Sequence, residues 1–208
     1  MRLREELVLL GHDPSGRPVL RGDALDAGVA GARLAELVLA ARVGVRDGRL
    51  AVTEALPTGD PDADALLAAL MRAPEPPAVA AALAELRPGA AGHVRDDLIA
   101  DGTVTRVTAR RLGLVSVTRY PAEEAAVRTV SVRLWYAAHG RSQPDERTAA
   151  LCGLVHAVLL HDHVFVTMPL PGLDQRLREI RAGLCPPVRE IVDGVAALVP
   201  VPAFAIHR

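Results

Sequence analysis

Between Asp101 and Glu123 the chain carries no acidic residue, while Arg106, Arg110, Arg111 and Arg119 place four positive charges there, interleaved with Leu112, Leu114 and Val115. A strand-turn-strand that sets cations beside aliphatics has the chemistry of a surface for anionic membranes. Each basic residue near such a membrane is worth about 1 kcal/mol, and the aliphatics can enter the acyl boundary. Arg106, Arg110, Arg111, Leu112 and Leu114 are therefore the candidate membrane-contact residues. A second reading stays open at this level, in which Leu112 and Leu114 pack into the core and the arginines are merely solvated.

Other reactive side chains carry less. His156, His161 and His163 cluster around Leu159-Leu160, but a spacing of five puts His156 and His161 on different faces of a helix, and no paired carboxylate or cysteine accompanies them. No metal site is expected, and His156 reads as a hydrogen-bonded core residue. Asp60, in the tetrad Pro57-Thr58-Gly59-Asp60, is a candidate carboxylate base whose simpler role is to cap the following helix. Cys152 lies in an apolar helix and reads as a small hydrophobe. GxSxG, GxxxxGK[ST] and GxGxxG are all missing from the sequence. Catalytic residues, cofactors and an enzymatic activity are accordingly not expected.

The elements that must position these residues are mostly helices. Only five of 208 residues are Phe, Tyr or Trp while half are apolar, so the core must be built from Leu, Val and Ala, a helix-favouring palette. The length suits one sizeable core, and a single domain over 1–208 is expected. A net charge of −1 excludes the overall basic field of a general nucleic-acid binder, so any anion site must be local. All 24 basic residues are arginine, with no lysine or asparagine, which points to a GC-rich, bacterial genome and weakens any inference from one arginine alone. The two cysteines lack CxxC spacing, as in a reducing cytosol. The longest uncharged apolar run, 149–160, is far short of the ~20 residues that span a bilayer, and MRLREELVLLG is no signal peptide. A cytoplasmic protein with peripheral membrane association follows.

Along the chain, Glu5 to Leu10 predicts a short helix ended by the turn cluster Asp13-Pro14-Ser15-Gly16. A long helix starts near Asp23, with Leu25, Val29, Leu34, Leu37 and Val38 on one side, and Gly28 and Gly31 marking close packing. Asp47-Gly48 is a hairpin turn joining strands with Val43, Val45, Leu50 and Val52. Helices are further predicted from Asp60 or Asp62 to Leu70, over 78–86, 93–100, 123–138, 145–160, 173–182 and 188–198, with the arginine-rich hairpin after Gly102. The fold class is mainly α, a single-domain helical bundle with two small β-hairpins.

The order of these segments resembles the Golgi phosphoprotein 3 family. EELVLLGHDPSGRPVL is similar to its opening helix and turn, and LDAGVAGARLAELVLAARV, VGVRDGRLAV and the tetrad follow in the family's order. LIADGTVTRVTARRLGLVSVTRYP has the spacing of its second hairpin, and DERTAALCGLVHAVLL matches a late helix. The resemblance covers about residues 5–165. Beyond it, Pro186, Pro187, Pro200 and Pro202 stand where the family continues as helix. The resemblance implies a peripheral membrane protein that reads phosphatidylinositol 4-phosphate, with the second hairpin serving membrane insertion and self-association. Four positions that carry the head-group site in eukaryotic members align with Arg21, Ala30, Pro88 and Ala91, none of which keeps the family's residue type. Arg21, Arg33 and Arg87 lie at or beside them and are the candidate lipid phosphate-binding residues, since guanidinium suits phosphate geometry. Loss of head-group selectivity is the alternative. The expected partner is an anionic phospholipid or a phosphatidylinositol phosphate, with a possible homo-oligomer. Two other readings compete: a winged-helix-like nucleic-acid binder, disfavoured by Asp96 and Asp97 beside the hairpin, and a self-associating module without lipid binding.

Overall fold

The computed structural model describes residues 1–111, 115–165 and 171–200. Leu112 and Leu114 lie outside them. In chain order the elements are α1 (Leu3–Leu10), α2 (Gly22–Leu39), β1 (Val43–Arg46), β2 (Arg49–Val52), α3 (Pro61–Arg72), α4 (Val79–Leu86), α5 (Ala90–Ala100), β3 (Val107–Arg111) and β4 (Val115–Arg119). They continue as α6 (Glu124–Ala138), α7 (Glu146–Ala157), α8 (His161–Val164), α9 (Leu173–Ala182) and α10 (Pro186–Leu198). The fold is mainly α, with each strand pair forming its own two-stranded antiparallel ribbon.

Helix α2 is the axis of the bundle, surrounded by α1, α5, α7 and α10. The one-sided apolar stripe expected from the sequence is wider here, because Ala27, Ala30, Ala32 and Ala35 are buried along with Val29, Leu34 and Leu37. Small residues let neighbours close in from every side. A Cβ at Gly28 would meet Leu7 at 2.7 Å and Val158 at 2.8 Å, and one at Gly31 would meet Val195 at 2.3 Å. The two glycines are thus where α1, α7 and α10 reach the backbone of α2. Leu3, Leu7, Leu151, Leu154, Val192 and Val195 fill the space around it.

Of the element boundaries that differ from the sequence expectation, three do so for a plain local reason. Helix α10 begins at Pro186 rather than near Val188, with proline in its first turn. Proline lacks an N–H exactly where a helix has no acceptor for one, so these residues start a helix rather than interrupt it. Helix α7 ends at Ala157, and Leu159 takes φ 60 to turn the chain toward α8. Helix α5 opens at Ala90 behind the left-handed Gly89.

The first ribbon is a turn of type I′ in outline, with φ 51 at Asp47 and 73 at Gly48. Val43 and Leu50 seal it against the body, and α2, α3 and α10 pack on it. Backbone bonds from Leu50 N–H to Pro77 O (2.8 Å) and Val79 N–H to Gly48 O (2.9 Å) fasten it to the start of α4. Among the described residues the second ribbon packs extensively only strand on strand. It is held by its root, where Tyr120 N–H donates to Gly16 O (2.9 Å) and Thr105 N–H to Pro121 O (2.9 Å).

Candidate membrane-facing surface

Register pairs Val107 with Arg119, Thr108 with Thr118, Ala109 with Val117, Arg110 with Ser116 and Arg111 with Val115. In a strand, consecutive side chains alternate between faces, so a ribbon laid on a core would bury every second one. Here Val107, Thr108 and Ala109 are exposed in succession, and on the other strand Ser116, Thr118 and Arg119 are exposed with Val117 half-buried between them. Both faces of the ribbon are therefore open to solvent. Arg106, just before β3, is 54% exposed and meets Asp96 of α5 at 3.1 Å. No acid pairs with Arg119 among the described residues.

At the root, the ring of Tyr120 gathers charged and aromatic neighbours from three segments. The guanidinium carbon of Arg95 lies 4.2 Å from the ring centroid, and that of Arg106 lies 6.0 Å away. His12 meets the same ring edge-on at 6.2 Å, with its Nδ1 2.8 Å from Val8 O. Burial, with the nearby charge of Arg95, holds the His12 imidazole below the usual histidine range.

Of the three candidate phosphate ligands, Arg21 and Arg33 lie far apart on one helix. Arg21 is the N-cap of α2, 85% exposed, with Nε 3.4 Å from Asp23. Arg33 sits twelve residues further along the same helix, roughly 18 Å away at 1.5 Å per residue, and its guanidinium is bound at two points to Asp62 (2.8 and 2.6 Å). Arg87 is the half-buried C-cap of α4. Ala30 and Ala91, at two of the aligned head-group positions, are themselves buried. A carboxylate already occupies the start of α5, since Asp26 accepts the Ala91 N–H at 2.8 Å.

The largest charged cluster was not visible in the sequence. Arg4, 3% exposed, bonds the Glu36 carboxylate and reaches Asp60 at 2.5 Å and Asp62 at 3.6 Å. Burial pushes the Glu36 carboxyl above its usual range, against the pull of Arg4. Asp60 caps α3 as expected, its Oδ1 accepting Asp62 N–H at 3.1 Å, and its other oxygen also takes Arg2 at 2.9 Å. Two arginines and a cap leave this carboxylate no freedom to act as a base. Beside it an open cavity of about 500 Å³ is lined by Arg2, Glu36, Asp60, Asp145, Glu146 and Arg147. Its carboxylates outnumber its guanidiniums, so it suits no phosphate. Arg4 and Glu36 gave no sequence signal, because each is one charge among many on an amphipathic helix.

His156 and His161 come together, contrary to the helix-face argument, because α7 ends before His161 and the chain folds back. Their ring centroids are 5.1 Å apart, and His156 Nε2 meets Asp174 at 2.8 Å. Among the described residues no group of three or more His, Cys, Asp and Glu is arranged to hold a metal ion. Burial pushes the Cys152 thiol up to about 12. Among the same residues no helix is long and apolar enough to cross a membrane.

A search of curated proteins returned no match. The sequence profile of Golgi phosphoprotein 3 matches residues 3–195, which extends the likeness about thirty residues past residue 165 and takes in most of the proline-led α10. A match over nearly the whole sequence means that the chain belongs to the Golgi phosphoprotein 3 family.

Proposed function

We propose that the protein is a peripheral membrane protein that rests on anionic phospholipid through the β3–β4 ribbon and acts by binding rather than catalysis. The observation that carries this reading is the ribbon's double exposure: its strands present both faces to solvent, in a stretch with four arginines and no acid. A two-stranded ribbon in water is marginal unless something covers it. A negatively charged lipid surface satisfies the arginines and offers the aliphatics a boundary to enter.

Head-group selection by Arg21, Arg33 and Arg87 finds less support, because Arg33 is committed to Asp62 and lies a helix length from Arg21. Attraction to anionic lipid in general is the better reading. The test is flotation of the full chain with phosphatidylcholine vesicles containing phosphatidylglycerol, cardiolipin or a mono-phosphorylated inositide, at two salt concentrations. Recovery in the top fraction with every anionic lipid, weakening with salt whatever the head group, is expected. Failure to float with any of them at low salt removes the reading. Self-association remains a second reading, favoured by the two open edges that a two-stranded sheet offers to another copy. Light scattering of the free protein tests it.

A further inference from the structure

Where α7, α8 and α9 meet, two histidines each keep one ring nitrogen without a partner among the described residues. His156, its side chain 12% exposed, meets Asp174 Oδ1 through Nε2 at 2.8 Å. A carboxylate can only accept, so Nε2 carries the proton and Nδ1 of the neutral ring presents its lone pair. That Nδ1 is sealed from solvent and makes no hydrogen bond. His161, which opens α8 and is equally 12% exposed, repeats the pattern: its Nδ1 is sealed and unbonded, while Nε2 lies 3.8 Å from Asp162 Oδ1. The two ring centroids are 5.1 Å apart.

We infer that His156 and His161 form a two-histidine site for a divalent transition-metal ion, bound through their Nδ1 atoms. Spacing fits such a pair: with metal–nitrogen bonds of about 2.1 Å and a tetrahedral angle, the centres of two ligating imidazoles stand about 5.2 Å apart. The support behind the ring fits as well. A ligating histidine commonly donates its other N–H to a carboxylate, which fixes the tautomer and makes the free nitrogen more basic. Asp174 accepts that proton here, and Arg178 steadies the carboxylate through Nε (3.0 Å) and Nη2 (2.6 Å).

The turn brings the ligands together. On one continuous helix a spacing of five would separate them, but α7 stops at Ala157 and Leu159, with φ 60, returns the chain so that His161 comes back to His156. Each ring keeps an exposed edge and has a carboxylate beside it, which favours the approach of a cation. No third protein ligand stands with the pair among the described residues, so water completes the shell. Imidazole donors suit Zn²⁺, Cu²⁺ and Ni²⁺ and not Mg²⁺ or Ca²⁺. With fewer protein ligands than the four of a structural zinc centre, the ion is held reversibly and acts as a clip across the α7–α8 turn.

The metal-free full chain is titrated with Zn²⁺ while its histidine ring nitrogens are followed by long-range nitrogen–proton correlation. The Nδ1 resonances of His156 and His161 should move together and saturate at one ion per chain, and Mg²⁺ should move neither. The Leu159 and Leu160 N–H groups, which close the turn onto His156 O and Val155 O, should exchange more slowly with Zn²⁺ bound. His156→Gln and His161→Gln should each abolish the saturable response, while His163→Gln should leave it unchanged. Asp174→Asn, which keeps both ligands and weakens the carboxylate behind one, should lower the affinity by about 10–100-fold. Thermal midpoints measured without metal establish that the variants fold. Ring nitrogens unmoved by millimolar Zn²⁺ overturn the site, and that result comes from the unaltered chain. So does a response confined to one of the two rings, or one that survives His161→Gln.

Discussion

β1–β2 and β3–β4 are both two-stranded antiparallel ribbons, yet Val43 and Leu50 of the first are 3% and 1% exposed while Val107 of the second is 43% exposed. The first is clamped by α2, α3 and α10 and tied by its backbone to the start of α4. Among the described residues the second is tied to the body at its root. Burial gives the first ribbon a structural task and leaves it little surface to offer. The second contributes little to the core, which frees its side chains for a partner. Charge follows the same division, with Asp47 between Arg46 and Arg49 in the first and no acid in the second.

Charge removal should break the symmetry most strongly. Replacing Arg106, Arg110, Arg111 and Arg119 together with serine removes about 1 kcal/mol of attraction per residue. Binding to phosphatidylglycerol vesicles should fall by about 10³-fold, with the thermal midpoint nearly unchanged. Replacing Arg46 and Arg49 should leave vesicle binding unaltered. Equal losses from the two sets would mean that the ribbons share the task.

Stability should divide the other way. Leu50→Ala opens a cavity in a sealed site and should cost about 3 kcal/mol in denaturant unfolding. Val107→Ala removes an exposed side chain and should stay within about 0.5 kcal/mol. A large cost at Val107 would show that the second ribbon has a covered face.

Much of this division was legible locally. Asp47-Gly48 marks its turn, Asp60 its cap, and α9 falls on Leu173–Ala182 as its periodicity predicts. Gly28 and Gly31 foretold close helix packing, although not which helices arrive. What stayed hidden depends on distant partners. Arg4 finds Glu36 and Asp60 across 32 and 56 residues, and Arg95 finds Tyr120 across a turn and a strand pair. Arg33, one turn beyond an aligned head-group position, is claimed by Asp62, which only the packing of α3 against α2 brings near. Periodicity specifies which face of an element is apolar; it does not say which charge will meet which.

Gly16 is the hinge pin of the comparison. Its φ of +78 is strained for any other residue, and a Cβ there would fall 2.2 Å from Pro121 N and 2.4 Å from Tyr120 backbone atoms. Gly16→Ala therefore has to break the Tyr120 N–H bond to Gly16 O and loosen the ribbon's root. A global cost of about 2 kcal/mol is expected. Amide exchange should accelerate in β3 and β4 and stay unchanged in β1 and β2. Matching acceleration in both ribbons would show that the root is not a local anchor.

The smallest expected effect is a pH dependence confined to the second ribbon. His12 lies against Tyr120 with Arg95 beside it and Asp13 next in sequence, and burial lowers its affinity for a proton below the ordinary value of 6.5. The unfolded chain then takes up a proton at a higher pH than the folded one. Stability from this group is fully present above 6.5 and is lost as pH falls through the lowered folded value. His161 behaves in the same direction at the α7–α9 junction, also through burial, so it must be held constant. In a His161→Gln background, His12→Gln should flatten the remaining fall in denaturant midpoint between neutral and mildly acidic pH. Exchange of β3 and β4 amides should lose its acid sensitivity with it, while β1 and β2, with no histidine in either strand, keep theirs unchanged. Acid sensitivity of equal size in both ribbons would place the proton uptake in the shared core instead of at the root.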